Sequence, residues 1–183
     1  MASLIPGNLH TTAMAILPHD EVDEALKLAL SLDIPFWPLD HFLAQIDQPR
    51  GIHLCGNPDW EFLLKRDLDI LSMDIYTNAE IFRCYGPDIR RFMERGAVLS
   101  WGIVPTGFEA FDRESQDHLI SSLEDIWGTL YQAGIDQEQL LAQSLLGPAT
   151  CCLINPDREK TVAKAYAWVQ KLSSRLREKY SLK

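Results

Sequence analysis

The chain has 183 residues, 46% of them hydrophobic and 23% charged, with a formal net charge of -9. That length and composition predict one globular domain with a real core and exclude a disordered chain. The acidity, with a pI of about 4.9, excludes a general phosphate-backbone binder and disfavours an anionic membrane surface, since both need basic groups.

The opening run, MASLIPGNLHTTAMAILPH, lacks a basic start and is broken by Pro6, Gly7, Asn8 and His10. It does not read as a signal peptide, and no segment is long and apolar enough to span a bilayer. Thr11 to Leu17 reads as a buried strand. A helix follows, with Val22, Ala25, Leu26, Ala29 and Leu30 on one face. Gly51 to Cys55 (GIHLC) is a strand, and NPDWEFLLKR a short helix with Asn57 at the N-cap and Pro58 at N1. Asp69 to Ile75 (DILSMDI) is a strand leading into a helical stretch that Gly86 and Pro87 interrupt. Ala97 to Val104 (AVLSWGIV) is a strand with a loop through Pro105 and Gly107 behind it. Ser115 opens a helix carrying Leu119, Leu123, Ile126 and Leu130. Gln143 to Thr150 (QSLLGPAT) is a weaker strand. The last helix starts near Asp157, with Val162, Ala165, Tyr166, Val169 and Leu176 in one stripe.

Five strand-then-helix units in series predict an α/β protein, a parallel sheet with helices outside. Right-handed crossovers lead either to an open doubly wound sheet or to part of a barrel. Neither G-x-G-x-x-G nor G-x-x-x-x-G-K-[ST] is present, and G-x-S-x-G is absent too, so the motifs support neither a nucleotide fold nor a serine hydrolase.

The chemistry centres on GIHLCGN. On a strand, residues two apart share a face, so His53 and Cys55 project side by side near the carboxyl end, where parallel α/β folds place their chemistry. They are either two core residues or two ligands of one ion, and an imidazole with a thiolate suits zinc. Cys151 and Cys152 follow the last strand, and Asp74 ends its own strand as a candidate oxygen ligand or orienting acceptor. Four irregularly spaced cysteines do not make a disulfide framework, so reduced thiols in a cytoplasmic protein are expected. Cys84 reads as packing or surface. Trp60, Trp127 and Trp168 read as core or helix packing, and Trp101 as core or pocket wall. His19 faces a pocket or solvent; His41 and His118 read as surface. The acid pairs Asp20/Glu21 and Glu124/Asp125 read as solvated helix faces.

Taken together, these segments resemble a known superfamily. HTTAMAILPHDEVDEAL is similar to the opening of barrels like cobalamin-independent methionine synthase. GIHLCGN resembles the H-x-C-G motif shared by that enzyme and the zinc methyltransferases that act with corrinoid proteins. ILSMDIY resembles the next, acid-ended strand, and GPATCCLINP resembles the last strand with its distal cysteine. The superfamily also contains uroporphyrinogen decarboxylase. The resemblance implies a partial, truncated (β/α)8 barrel of TIM type and a zinc ion held by His53, Cys55 and Cys151, with Cys152 where the family has glycine. It implies that Asp74 takes the acidic position. The implied activity is methyl transfer from a folate or corrinoid donor, such as a corrinoid protein, to a small-molecule thiol.

The chain departs from that family in length. Residues 1–38 resemble the first βα unit, residues 39–50 look like a deletion seam, and residues 51–183 resemble the C-terminal half of the barrel, all within one domain of 1–183. A partial barrel exposes two strand edges and an apolar inner face, which predicts self-association. The alternatives to an active enzyme are a non-catalytic remnant or subunit, and a uroporphyrinogen decarboxylase-like protein using Arg83, Arg90 and Arg91 as a cationic pocket. Neither a nucleic-acid nor a membrane partner is expected.

Overall fold

The computed structural model describes residues 39–40, 43–47, 49–150 and 155–182. The expected first strand (residues 11–17) and helix (residues 22–30), His10, His19, His41, Asp20, Glu21, Cys151 and Cys152 lie outside the described residues.

Four strands, β1 (Gly51–Leu54), β2 (Ile70–Asp74), β3 (Val98–Val104) and β4 (Ser144–Pro148), form one parallel sheet in the order β1-β2-β3-β4. The helices between them are α1 (Trp60–Leu64), α2 (Ile75–Phe82), α3 (Gly86–Glu94), α4 (Phe108–Asp112), α5 (Gln116–Gln132) and α6 (Gln137–Ala142); α7 (Lys160–Lys179) follows β4. Strand order equal to chain order, with a helix in each crossover, is the α/β pattern that the alternating segments predict. No described helix is long and apolar enough to cross a membrane.

The register sorts the strand residues into two faces. Pairs His53↔Ser72, Ser72↔Ser100 and Ser100↔Leu145 put His53, Ser72, Ser100 and Leu145 in one row. The opposite face carries Ile52, Leu54, Leu71, Met73, Leu99, Trp101 and Leu146, all belonging to or packed against the hydrophobic core. Leu71, Met73, Leu99 and Trp101 are fully buried there, while Ile70, Ser72, Val98 and Ser100 are only half-buried. The described helices therefore pack on the apolar face, while the opposite face is half-buried along the row of His53, Ser72 and Ser100 and buried at Asp74, Gly102 and Gly147.

An aromatic row runs through the covered side: Trp60, Phe82, Trp101, Trp127 and Tyr180 meet in sequence, with ring centroids 5.5, 5.8, 6.3 and 6.1 Å apart. Trp101 is thus core rather than pocket wall, and its indole N–H donates to Ser144 Oγ at 2.8 Å. Trp168 packs on Phe111 at 4.4 Å. Gly102 sits where the strands crowd: a Cβ there would lie 2.4 Å from Met73 O and 2.8 Å from Pro148 O, so no side chain fits without parting the sheet.

Several local expectations change. The helix after Asn57 starts two residues later than its Pro58 implied. Asp59 is the N-cap, accepting from the Phe62 N–H, and Asn57 Oδ1 instead accepts from the Trp60 indole at 2.8 Å. A Gly-Pro pair does break the helical stretch after β2; a 3₁₀ turn at Arg83–Tyr85 separates α2 from α3, and Pro87 lies in the first turn of α3. The short helices α4 and α6 replace what read as loop. The last helix begins at Lys160, and its buried stripe is Thr161, Ala165, Leu172 and Leu176; Tyr166 is 53% exposed. Glu124 is no solvated face residue. It accepts from the Tyr180 hydroxyl at 2.8 Å and pairs with Lys179, pinning the end of α7 to α5.

Candidate metal centre

His53 in β1 and Cys55 just after it are half-buried on the face of Ser72, and the spacing puts them side by side: His53 Nε2 lies 3.1 Å from Cys55 Sγ. The other ring nitrogen, Nδ1, lies 2.9 Å from Ser72 Oγ, contributed by the register partner on β2. Where the Ser72 hydroxyl accepts from Nδ1–H, Nε2 keeps its lone pair and faces the sulfur, the tautomer that a metal-binding histidine needs. Burial holds the His53 pKa below the ordinary histidine value, which favours the neutral ring. Zinc–nitrogen and zinc–sulfur bonds at a tetrahedral angle set N and S about 3.6 Å apart. The observed pair needs to open by only about half an ångström to admit the ion. In donor chemistry and spacing the two residues fit zinc.

Asp74 is the next residue of β2 after Met73, as Cys55 is the next of β1 after Leu54, and Leu54 and Met73 are register partners. The acid thus stands beside the cysteine at the carboxyl end. Its carboxylate is already engaged: it caps α2, accepting from the Thr77 N–H at 3.0 Å. Asp74 is 2% exposed. Burial pushes its carboxyl above the usual range, and the hydrogen bonds from Thr77 and the Tyr76 backbone partly offset that. Among the described residues, no three His, Cys, Asp or Glu side chains gather closely enough to hold a metal ion. Asp74 does not complete the pair, so a closed site depends on a cysteine after β4.

The two ends of that segment are anchored. Ala149 continues the ladder, its N–H donating to Val104 O at 2.8 Å. Thr150 Oγ1 lies 2.7 Å from Thr106 Oγ1. On the far side, buried Asn155 donates to Thr106 O at 2.9 Å and accepts from the Phe108 N–H at 2.9 Å. The described residues on either side of positions 151–154, Ala149, Thr150 and Asn155, are therefore tied to β3 and the loop after it, at the carboxyl end of the sheet. Asn78 braces the near side, donating to Asp74 O at 3.1 Å and to Gly56 O at 3.4 Å.

The sequence reading missed Ser72, Thr106, Asn78 and Asn155. Strand parity could have found Ser72, since it lies two before Asp74; the other three act through loop contacts that no spacing rule encodes. Of the remaining candidates, Cys84 and His118 are on the surface, with His118 paired to Glu114. Arg83, Arg90 and Arg91 pair with Glu80, Glu94 and Asp88 on α2, the 3₁₀ turn and α3.

The site and fold define a parallel α/β protein with a histidine–cysteine pair at the carboxyl end of its sheet. The chain matches no protein-family model, no curated protein and no solved structure.

Two predictions follow from the site's hydrogen bonds. Ser72→Ala frees the His53 ring and weakens zinc binding about 10- to 100-fold, the usual cost of losing a partner behind a ligating histidine, as read by chelator competition. The two Asp74 variants separate cap from charge. Asp74→Ala loses the cap and about 1 kcal/mol of stability, while Asp74→Asn keeps it. Because the folded-state pKa of Asp74 is raised, its charged form is disfavoured in the fold, so Asn is equal to or more stable than wild type at neutral pH. Equal destabilisation of both variants in urea would contradict the cap assignment.

Proposed function

We propose that the chain is a zinc-dependent, methyltransferase-like protein that activates a substrate thiol for methylation. The observation that carries this reading is the His53–Cys55 pair at 3.1 Å, with Ser72 behind the imidazole. His53 supplies Nε2, Cys55 supplies a thiolate, and Cys151, or Cys152 beside it, closes the set. Zinc bound there supplies Lewis acidity, lowering a substrate thiol's pKa so that it is a thiolate at neutral pH. Asp74 fixes the start of α2 at the same carboxyl end of the sheet. The polar sheet face around Ser72 and Ser100 offers the thiol and its methyl donor, a folate or a corrinoid, a common surface.

The barrel reading belongs to the same proposal. The ends of β1 and β4 are three strand spacings apart, about 14 Å in a flat sheet, too far for one ion to bridge. Curvature toward the His53 face, as in a closing barrel, turns side chains from both ends toward one point.

The rival reading is a remnant or subunit that binds zinc without turnover, favoured by the engagement of Asp74 with Thr77. A decarboxylase-like reading gains nothing from Arg83, Arg90 and Arg91, which pair with neighbouring acids instead of facing a shared pocket. The deciding experiment offers small thiols with methylated folate or methylcobalamin to the zinc-loaded chain and follows thioether formation. Methylation abolished by Cys55→Ser supports the enzyme; bound zinc without product supports the remnant.

A further inference from the structure

The outer edge of β4 gathers four observations that the metal site does not use. Among the described residues, β4 pairs with β3 alone, leaving a row of backbone donors and acceptors on its other side. Beside that edge runs an open trough of about 1320 Å³ walled by α6, β4 and α7. Its apolar lining includes Leu141, Leu146, Tyr166, Val169 and Leu182, of which Tyr166 is 53% and Leu182 37% exposed. A small-molecule pocket is smaller, about 300–1000 Å³, and more enclosed. A trough along a strand edge suits an added strand and helix. Ala167, Ser173 and Ser174 also line it, and such short side chains let a second helix approach α7 closely.

Charge and chain length select the occupant. Helix α7 carries six basic residues against Glu178 alone, in a chain whose net charge is -9; Arg175 and Lys179 pair with Asp117 and Glu124 on α5, and Lys160 and Lys164 stand at its start. Residues 1–38 carry five acids, Asp20, Glu21, Asp23, Glu24 and Asp33, against Lys27, a net charge of -4. Within them, an apolar strand-like run precedes a helix-patterned one. The connection is long enough. Asp40 is held at the β1 side of the molecule by its 2.8 Å ion pair with Arg66. A segment beside β4 must cross about four strand spacings, roughly 19 Å, to reach it. Residues 31–38 span up to about 26–29 Å when extended.

We propose that residues 11–30 of the same chain occupy this trough. Thr11 to Leu17 adds to β4 as a fifth parallel strand, and Val22 to Leu30 lies along the exposed face of α7. In that parallel arrangement the acidic start of the helix, Asp20 to Glu24, falls near Lys160 and Lys164 at the start of α7. The added unit covers Tyr166 and extends the sheet on the side away from β1. This inference is independent of the metal reading.

The test places a photo-crosslinking benzoyl-phenylalanine at position 166 of the full chain, a surface position that tolerates a larger ring. Isotopically heavy and light protein are mixed before irradiation, and cross-linked peptides are mapped by mass. The expected product joins position 166 to residues 11–30 within chains of one isotope. Products pairing heavy with light peptides place a second copy in the trough and overturn the proposal, as does a product set without residues 11–30. Leu26→Asp provides a second measurement that leaves the described core untouched. It removes the crosslink and speeds tryptic cleavage after Lys27 by about tenfold, as expected for release of a locally docked segment. Unchanged cleavage and crosslinking in that variant also overturn the proposal.

Discussion

On the zinc reading, protein purified without chelator is expected to carry close to one zinc per chain, and Cys55→Ser almost none. The thiolate supplies the softest donor of the pair, and a serine hydroxyl at the same position stays protonated and binds zinc poorly. With a total binding free energy of about 10–16 kcal/mol shared among three or four ligands, losing one costs roughly 3–4 kcal/mol, or about 10²- to 10³-fold in affinity. His53→Ala has a comparable effect. Cys151→Ser and Cys152→Ser, taken separately, tell which cysteine after β4 is the ligand, because only one of them reproduces the loss. The pH dependence has a definite direction. Burial lowers the His53 pKa, so in the metal-free chain the unfolded state takes up the proton first as pH falls below about 6.5. Stability contributed by the neutral ring is therefore complete above that value and declines as pH drops toward the folded pKa, and His53→Gln flattens the decline. Zinc binding holds to a lower pH than an ordinary histidine would permit. A wild-type content under about 0.2 zinc per chain, unchanged in Cys55→Ser, removes the basis for the metal reading.

What the sequence made legible followed from periodicity. Apolar runs such as AVLSWGIV and DILSMDI led directly to β2 and β3 and to the parallel order, because short apolar runs alternating with helical spacing imply strands joined by helical crossovers. The H-x-C pair was legible because strand parity alone places His53 beside Cys55. Short-range capping was legible where the residue type decides it, as at Ser115, which accepts from the His118 N–H, but not at Asp59, where Asn57 and Pro58 offered an equally good start. Helices α4 and α6, with five and six residues, are too short for a 3.6-residue period to emerge from noise. Tyr166 was misplaced for a related reason: it sits next to Ala165, and a one-residue rotation of the stripe moves it from core to surface. That the described helices pack on the face of Leu71 and Trp101 was beyond reach, since periodicity identifies an apolar face but not which neighbour covers it.

Trp101→Ala costs about 3–5 kcal/mol in urea unfolding, the largest stability effect expected in the chain. The side chain is fully buried at the centre of β3. It meets Phe82 at 5.8 Å and Trp127 at 6.3 Å edge-on, contacts that add about 0.5–1.5 kcal/mol each beyond their area. Truncation leaves a cavity between Phe82 and Trp127, which are themselves buried and packed. The hydrogen bond to Ser144 is the smaller part. Ser144 Oγ also donates to Leu140 O at 2.6 Å, so it keeps a partner when the indole is gone. Trp101→Phe preserves the aromatic row and loses mainly that N–H bond, costing about 1–2 kcal/mol. Since a domain of this kind has a total stability of about 5–15 kcal/mol, the alanine variant sits near its folding threshold while the phenylalanine variant remains folded. Trp101 points into the covered core and His53 onto the opposite face, so Trp101→Phe retains zinc at the wild-type level. A cost below about 1 kcal/mol for Trp101→Ala, or loss of zinc in Trp101→Phe, places the indole at the wall of a hydrated pocket instead.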